Sequence, residues 1–184
     1  AVPLSPPKPS AVKTADDDLF EYATLCYTQK EYQIAIKPFT DYARLYPKGP
    51  HAAEAWFKLG ECYLRTDQGD EARRAYGEVV SRFPRSESAA SANYRLGAFA
   101  YNAKEFARAA TYFESCEQLT TDVLVKLAAT YNRALALKQT GQKKAALAAF
   151  KTVAASKTDN PYRETALGEL AAGALEAGNK EEAL

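Results

Sequence analysis

Hydrophobic positions along the chain recur three and four residues apart in short blocks separated by polar turns, the spacing of amphipathic helices rather than of strands. Between residues 48 and 84, Trp56, Leu59, Gly60 and Tyr63 form one apolar stripe, and Ala72, Tyr76, Val79 and Val80 form the next. The polar stretch "RTDQGD" lies between them, and Gly69 is expected to take the left-handed cap conformation there. Pro84 closes the second helix, because proline has no N–H and clashes with the turn before it. The unit is a helix-turn-helix hairpin with an apolar face that it cannot bury alone.

The same hairpin returns along the chain. Ala35, Ala72, Ala109, Ala146 and Ala183 stand 37 residues apart, and aromatics follow four residues later at Phe39, Tyr76, Phe113 and Phe150. A third column of small residues, Ala23, Gly60, Gly97, Ala134 and Ala171, keeps the same period. Small side chains there let helix axes approach to about 8–10 Å, and the aromatics fill the adjoining space. Three interlocked columns predict an all-α array of stacked hairpins over residues 16–184. The units run about 16–47, 48–84, 85–121, 122–158 and an incomplete 159–184, where Ala183 opens a second helix that stops at "KEEAL". Residues 1–15, with four prolines in the first nine positions, read as an extended Pro-rich linker or tail.

Composition narrows the function. The formal net charge of +1, with both signs mixed along the chain, lacks the basic footprint of a nucleic-acid binder. No apolar run reaches the roughly 18 residues of a membrane span, so none is expected. The chain holds no methionine, which fits a processed or trimmed product. Cys26, Cys62 and Cys116 lie far apart without metal spacing and are expected to be small buried thiols. A single histidine, His51, excludes a multi-histidine metal site, and no metal or other cofactor is expected. Paired acids such as Glu181 with Glu182, or the run Asp16 to Asp18, read as charge near helix N-termini. No nucleophile–base constellation or Gly-rich phosphate loop appears, so an enzyme is not expected.

Trp56, Leu59, Gly60, Tyr63, Ala72, Tyr76 and Pro84 resemble, in type and spacing, the tetratricopeptide repeat. The resemblance implies a right-handed superhelical solenoid that binds protein or peptide partners without catalysis. The first and fourth hairpins depart from the pattern, with Leu19 in place of the Trp, and Thr130 and Arg133 at two normally apolar places. The 37-residue period exceeds the usual unit of about 34 residues. The extra residues fit in the joins "PKGPHAAEA" and "PRSESAASA", where they are expected to lengthen the following helix. That spacing is similar to tetratricopeptide domains of bacterial envelope proteins, of the Tol-Pal-associated YbgF/CpoB type and the BamD type. It implies a periplasmic or envelope setting, with a cytoplasmic one as the alternative.

In such a stack the first helices line the concave side, so their exposed residues are the binding candidates. One column there is aromatic: Phe20, Phe57, Tyr94 and Tyr131. Seven residues on, and therefore on nearly the same helix face, lie Tyr27, Leu64, Tyr101 and Lys138. Arg65, Asn102, Lys138 and Gln139 beside them can hydrogen-bond a peptide. The competing reading is that the rings pack within and between hairpins. The carboxylate clamp of some cytosolic co-chaperones is missing, since its places hold aromatics and Thr24, Glu61, Ala98 and Leu135. The leading expectation is a partner-binding scaffold. The alternatives are a module that self-associates through its incomplete last repeat, and a regulatory repeat domain of a longer protein.

Overall fold

The computed structural model describes residues 14–176 and 178, and the regular structure there consists of nine α-helices. They are α1 (Ala15–Thr28), α2 (Tyr32–Leu45), α3 (Ala52–Arg65), α4 (Gly69–Arg82), α5 (Glu87–Asn102), α6 (Phe106–Leu119), α7 (Val123–Gln139), α8 (Lys143–Ala154) and α9 (Arg163–Glu176). Successive pairs form four hairpins, and α9 opens a fifth. The Pro-rich stretch at residues 1–13, and the fifth hairpin's second helix with Glu181, Glu182 and Ala183, lie outside the described residues.

Each hairpin turns in the same way. Lys30, Asp67 and Lys104 take φ of 64°, 59° and 61°, and Gly141 and Gly178 take 76° and 80°, so left-handed residues also recur every 37 positions. The next residue returns its N–H to a carbonyl five positions back: Glu31 to Cys26 at 2.9 Å, Gln68 to Tyr63 at 2.9 Å, Glu105 to Ala100 at 2.8 Å and Gln142 to Leu137 at 3.0 Å. This satisfies a carbonyl that the helix end would leave orphaned. The expectation for Gly69 is thereby corrected. Asp67 supplies the left-handed residue, and Gly69 is the first residue of α4.

The joins between hairpins differ from one another. Ser86 caps α5 by accepting from the Ala89 N–H at 3.2 Å, and Asp122 caps α7 by accepting from the N–H groups of Leu124 and Val125 at 2.8 and 3.1 Å. Those two helices reach 16 and 17 residues. The lengthening expected of α3 does not occur, since it has 14 residues, as α4 does. Pro47 and Pro50 keep the extra residues in a turn, which is fastened by the His51 N–H donating to the Tyr42 hydroxyl at 3.2 Å.

Helices pack chiefly on their sequence neighbours, and α1, α3 and α5 also touch one another in order. Phe39, Tyr76, Phe113 and Phe150 form the spine of the core, none more than 2 % exposed. Gly60 and Gly97 pass close beneath this spine. A Cβ on Gly60 would come within 2.6 Å of the Tyr76 ring, and one on Gly97 within 2.7 Å of the Phe113 ring. In the first and fourth hairpins the same column holds Ala23 and Ala134, both fully buried.

The cysteines are free thiols buried within helices. Cys116 shares a fully buried column with Tyr42, Val79 and Val153. Burial pushes its thiol up to about 11, and burial together with the neighbouring Glu61 carboxylate pushes Cys62 up to about 12. Neither forms appreciable thiolate at neutral pH. The polar intruders of the fourth hairpin are also satisfied. The Thr130 hydroxyl donates to the Lys126 carbonyl at 2.9 Å, and Arg133 reaches Glu117 on α6 through two hydrogen bonds of 2.6 and 3.1 Å.

Candidate functional site

The first column of the aromatic stripe packs inward to a common rule. Each ring meets the spine ring of its own hairpin: Phe20 with Phe39 at 6.1 Å, Phe57 with Tyr76 at 5.7 Å, Tyr94 with Phe113 at 5.6 Å and Tyr131 with Phe150 at 5.7 Å between centroids. Edge and tilted contacts of this kind suit the ring quadrupoles. Packing therefore takes one side of every ring, and the column differs in what covers the other side.

At the two ends a second ring covers it. His51 stacks on Phe20 at 4.2 Å with planes 6° apart, and Tyr162 stacks on Tyr131 at 5.1 Å with planes 26° apart. His51 and Tyr162 belong to a column that also contains Ser88 and Val125. These two middle members carry no ring, and Phe57 and Tyr94 remain half-buried beside an open depression. Phe20, by contrast, is only 8 % exposed and belongs to the core.

The depression has a volume of about 380 Å³ and lies against α3, α5 and α7, with Phe57, Tyr94, Leu124, Val125 and Tyr162 on its walls. A second depression of about 310 Å³ shares Phe57 and Ser91 with it and extends toward Tyr27, Glu54 and Glu87. The two form one groove across the first helices of four hairpins. Asn132 donates to the Tyr94 hydroxyl at 3.0 Å, which fixes that ring, and burial raises the affinity of the phenol for its proton.

Behind this groove lies a buried charge. Glu61 on α3 is 4 % exposed; it accepts from the Tyr76 hydroxyl of α4 at 2.6 Å and from the Arg95 guanidinium of α5 at 2.7 and 2.8 Å. Three helices from two hairpins meet on one carboxylate. Burial and the carboxylate both raise the Tyr76 phenol well above its ordinary range. For Arg95, burial alone would weaken proton binding, but Glu61 outweighs it and the net effect is upward. Sequence spacing alone did not point to this bridge, because it occurs in a single pair of hairpins.

Of the remaining candidates, Tyr27 stands at one end of the groove and the others lie outside it. Tyr27 packs on Tyr32 and Phe39, with the Lys58 ammonium 5.0 Å from its ring centre, and Tyr101 packs on Phe106. Leu64 is half-buried against the second hairpin's core. Arg65 lies 5.9 Å from the Tyr32 ring centre, and Lys138 binds the Glu169 carboxylate at 2.6 Å. Asn102 and Gln139 are exposed at the last residues of α5 and α7. Arg65, Asn102, Lys138 and Gln139 line neither depression. Among the described residues there is no cluster of His, Cys, Asp and Glu that could hold a metal, and no helix is long and apolar enough to cross a membrane.

Family models described as the tetratricopeptide repeat match residues 54–86 and 127–160. The chain is a tetratricopeptide repeat protein. By sequence it matches no curated protein. Its fold is similar to solved structures of such repeats. One is MamA from Desulfovibrio magneticus RS-1, at 17% identity and a TM-score of 0.69, covering 94% of this chain and 91% of that one. Another is YrrB, described as a TPR protein with an unusual peptide-binding site, at 19% identity and 0.71, covering 90% and 79%. PilW, described as a type IV pilus biogenesis factor, gives 22% and 0.62, covering 94% and 74%. These likenesses establish the tetratricopeptide solenoid and leave the ligand to the residues of this chain.

Proposed function

We propose that this tetratricopeptide protein is a non-catalytic scaffold that holds a segment of a partner protein in the groove floored by Phe57 and Tyr94, in a bacterial cell-envelope assembly. The observation that carries this reading is the groove itself, in which half-buried aromatics from first helices meet two joined depressions. Partly exposed aromatics are costly to leave in water and are enriched where partners bind. The peptide-binding site of the similar YrrB structure supports the mode of action. The envelope setting draws support from the enlarged joins of the 37-residue period and from the similarity to PilW.

Ser91 is the residue to block, because it lines both depressions without supporting a ring. Ser91→Arg is expected to lose the partners that the natural chain captures from envelope extracts, with an unchanged thermal midpoint. Capture of the same partners by a folded Ser91→Arg chain would overturn the proposal. A second reading, self-association, is favoured by Leu167 and Leu175 of α9, which are 51 % and 59 % exposed. Light scattering that shows a constant monomer mass across a wide concentration range would remove it.

A further inference from the structure

Building on the groove reading, we propose that the bound segment supplies an aromatic side chain flanked by a basic residue, its ring taking the place over Phe57 and Tyr94 that Ser88 and Val125 leave open. The array itself shows what belongs at that place. In the same register His51 covers Phe20 and Tyr162 covers Tyr131, each as a stacked ring. A stacked ring buries more apolar surface than an aliphatic group of similar reach and adds a quadrupole interaction. Tyr162 also stands in the wall of the depression, so an entering ring finds an aromatic edge beside the two it covers.

Charge selects the flanking residue. Arg95 in the groove wall is matched by Glu61, and Lys58 is matched by Glu54 at 3.3 Å. Glu87 lines the groove with no ion pair among the described residues. The groove therefore carries one unmatched negative charge, and a lysine or arginine next to the aromatic residue complements it.

The test uses the whole chain, isotope-labelled, and the peptide acetyl-Ala-Lys-Trp-Lys-Ala-amide. Saturable shifts are expected at the amides of Ser88, Ser91 and Val125. Replacing Trp by Leu in the peptide should weaken binding about fivefold, the size of an aromatic pair contribution. Replacing both lysines by glutamates, or Glu87→Gln in the protein, should also weaken it. Ser88→His and Val125→Tyr give the array its own lids and should abolish the shifts without lowering the thermal midpoint. Equal binding of the Trp and Leu peptides would overturn the inference, and so would lids that leave binding intact. Partner capture separates this inference from the groove reading beneath it. If Ser91→Arg loses partners that the folded double-lid chain keeps, the groove stands and the aromatic ligand falls; if neither variant loses them, both fall.

Discussion

The second and third hairpins meet the same packing problem as the first and fourth, and they meet it with different residues. In the outer pair an alanine lies beneath the spine ring, and a ring from the next join covers the groove-side aromatic. In the inner pair a glycine lets the ring approach more closely, and the lid position holds Ser88 or Val125. The inner hairpins are also cross-linked by Glu61, Tyr76 and Arg95. The middle of the array thus combines a buried charged cross-link behind the groove with a more open surface within it. A binding site benefits from that combination, because rigid walls lose little entropy when a ligand is held.

The largest effect expected of a single change concerns the bridge. Arg95→Met leaves Glu61 with one partner in a buried setting and should cost about 3–5 kcal/mol in urea unfolding. Arg133→Met, made against the less buried Glu117 in the bridge between the third and fourth hairpins, should cost clearly less. Equal costs would show that the inner bridge is no special joint. Tyr76→Phe removes one hydrogen bond to a carboxylate and should cost about 1.5–3 kcal/mol. It also changes the alkaline limb. A phenol whose folded pKa is raised contributes stability that is present in full below its unfolded pKa of about 10 and is lost as pH rises from there toward the folded value. The natural chain should lose stability above that pH more steeply than Tyr76→Phe, as measured by thermal midpoints from pH 8 to 11.

The smallest of these effects tests the glycine. Gly97→Ala sets a Cβ against the Phe113 ring and should cost about 1–2 kcal/mol, after the gain in helix propensity of about 1 kcal/mol is counted. Ala134→Gly in the fourth hairpin has no such clash to relieve and should lose both helix propensity and a buried methyl, about 1–2 kcal/mol together. A higher melting temperature for Gly97→Ala would mean that the Phe113 ring shifts as easily as its counterpart Phe150, and the distinction between inner and outer hairpins would narrow to the lids.

The stacked fold was legible because helix packing repeats the same steric demand every 37 residues, and the small and aromatic columns record it in residue type. The left-handed turns were harder to read. Their column contains Lys30, Asp67 and Lys104 before it reaches Gly141 and Gly178, and only the glycines announce a positive φ. The lid column was missed for a related reason. His51, Ser88, Val125 and Tyr162 share a register without sharing a chemistry, and it is their difference that distinguishes a covered ring from an open one. Phe20 could not be separated from Phe57 by type or spacing, since its burial depends on a histidine 31 positions away. The polar candidates Arg65, Asn102 and Gln139 sit near helix ends, beyond the groove that the rings define.

The carboxylate of Glu61 also bears on how the array assembles. Contacts in this stack run mainly between helices adjacent along the chain, so a folding polypeptide closes short loops and can begin from more than one hairpin. A hairpin that forms alone gains only its own pairings. The bond from Arg95 to Glu61 is made only when α5 arrives on α3, across a span of 34 residues, and it rewards the second and third hairpins for forming together. That junction couples two local folding events, and the groove opens directly in front of it.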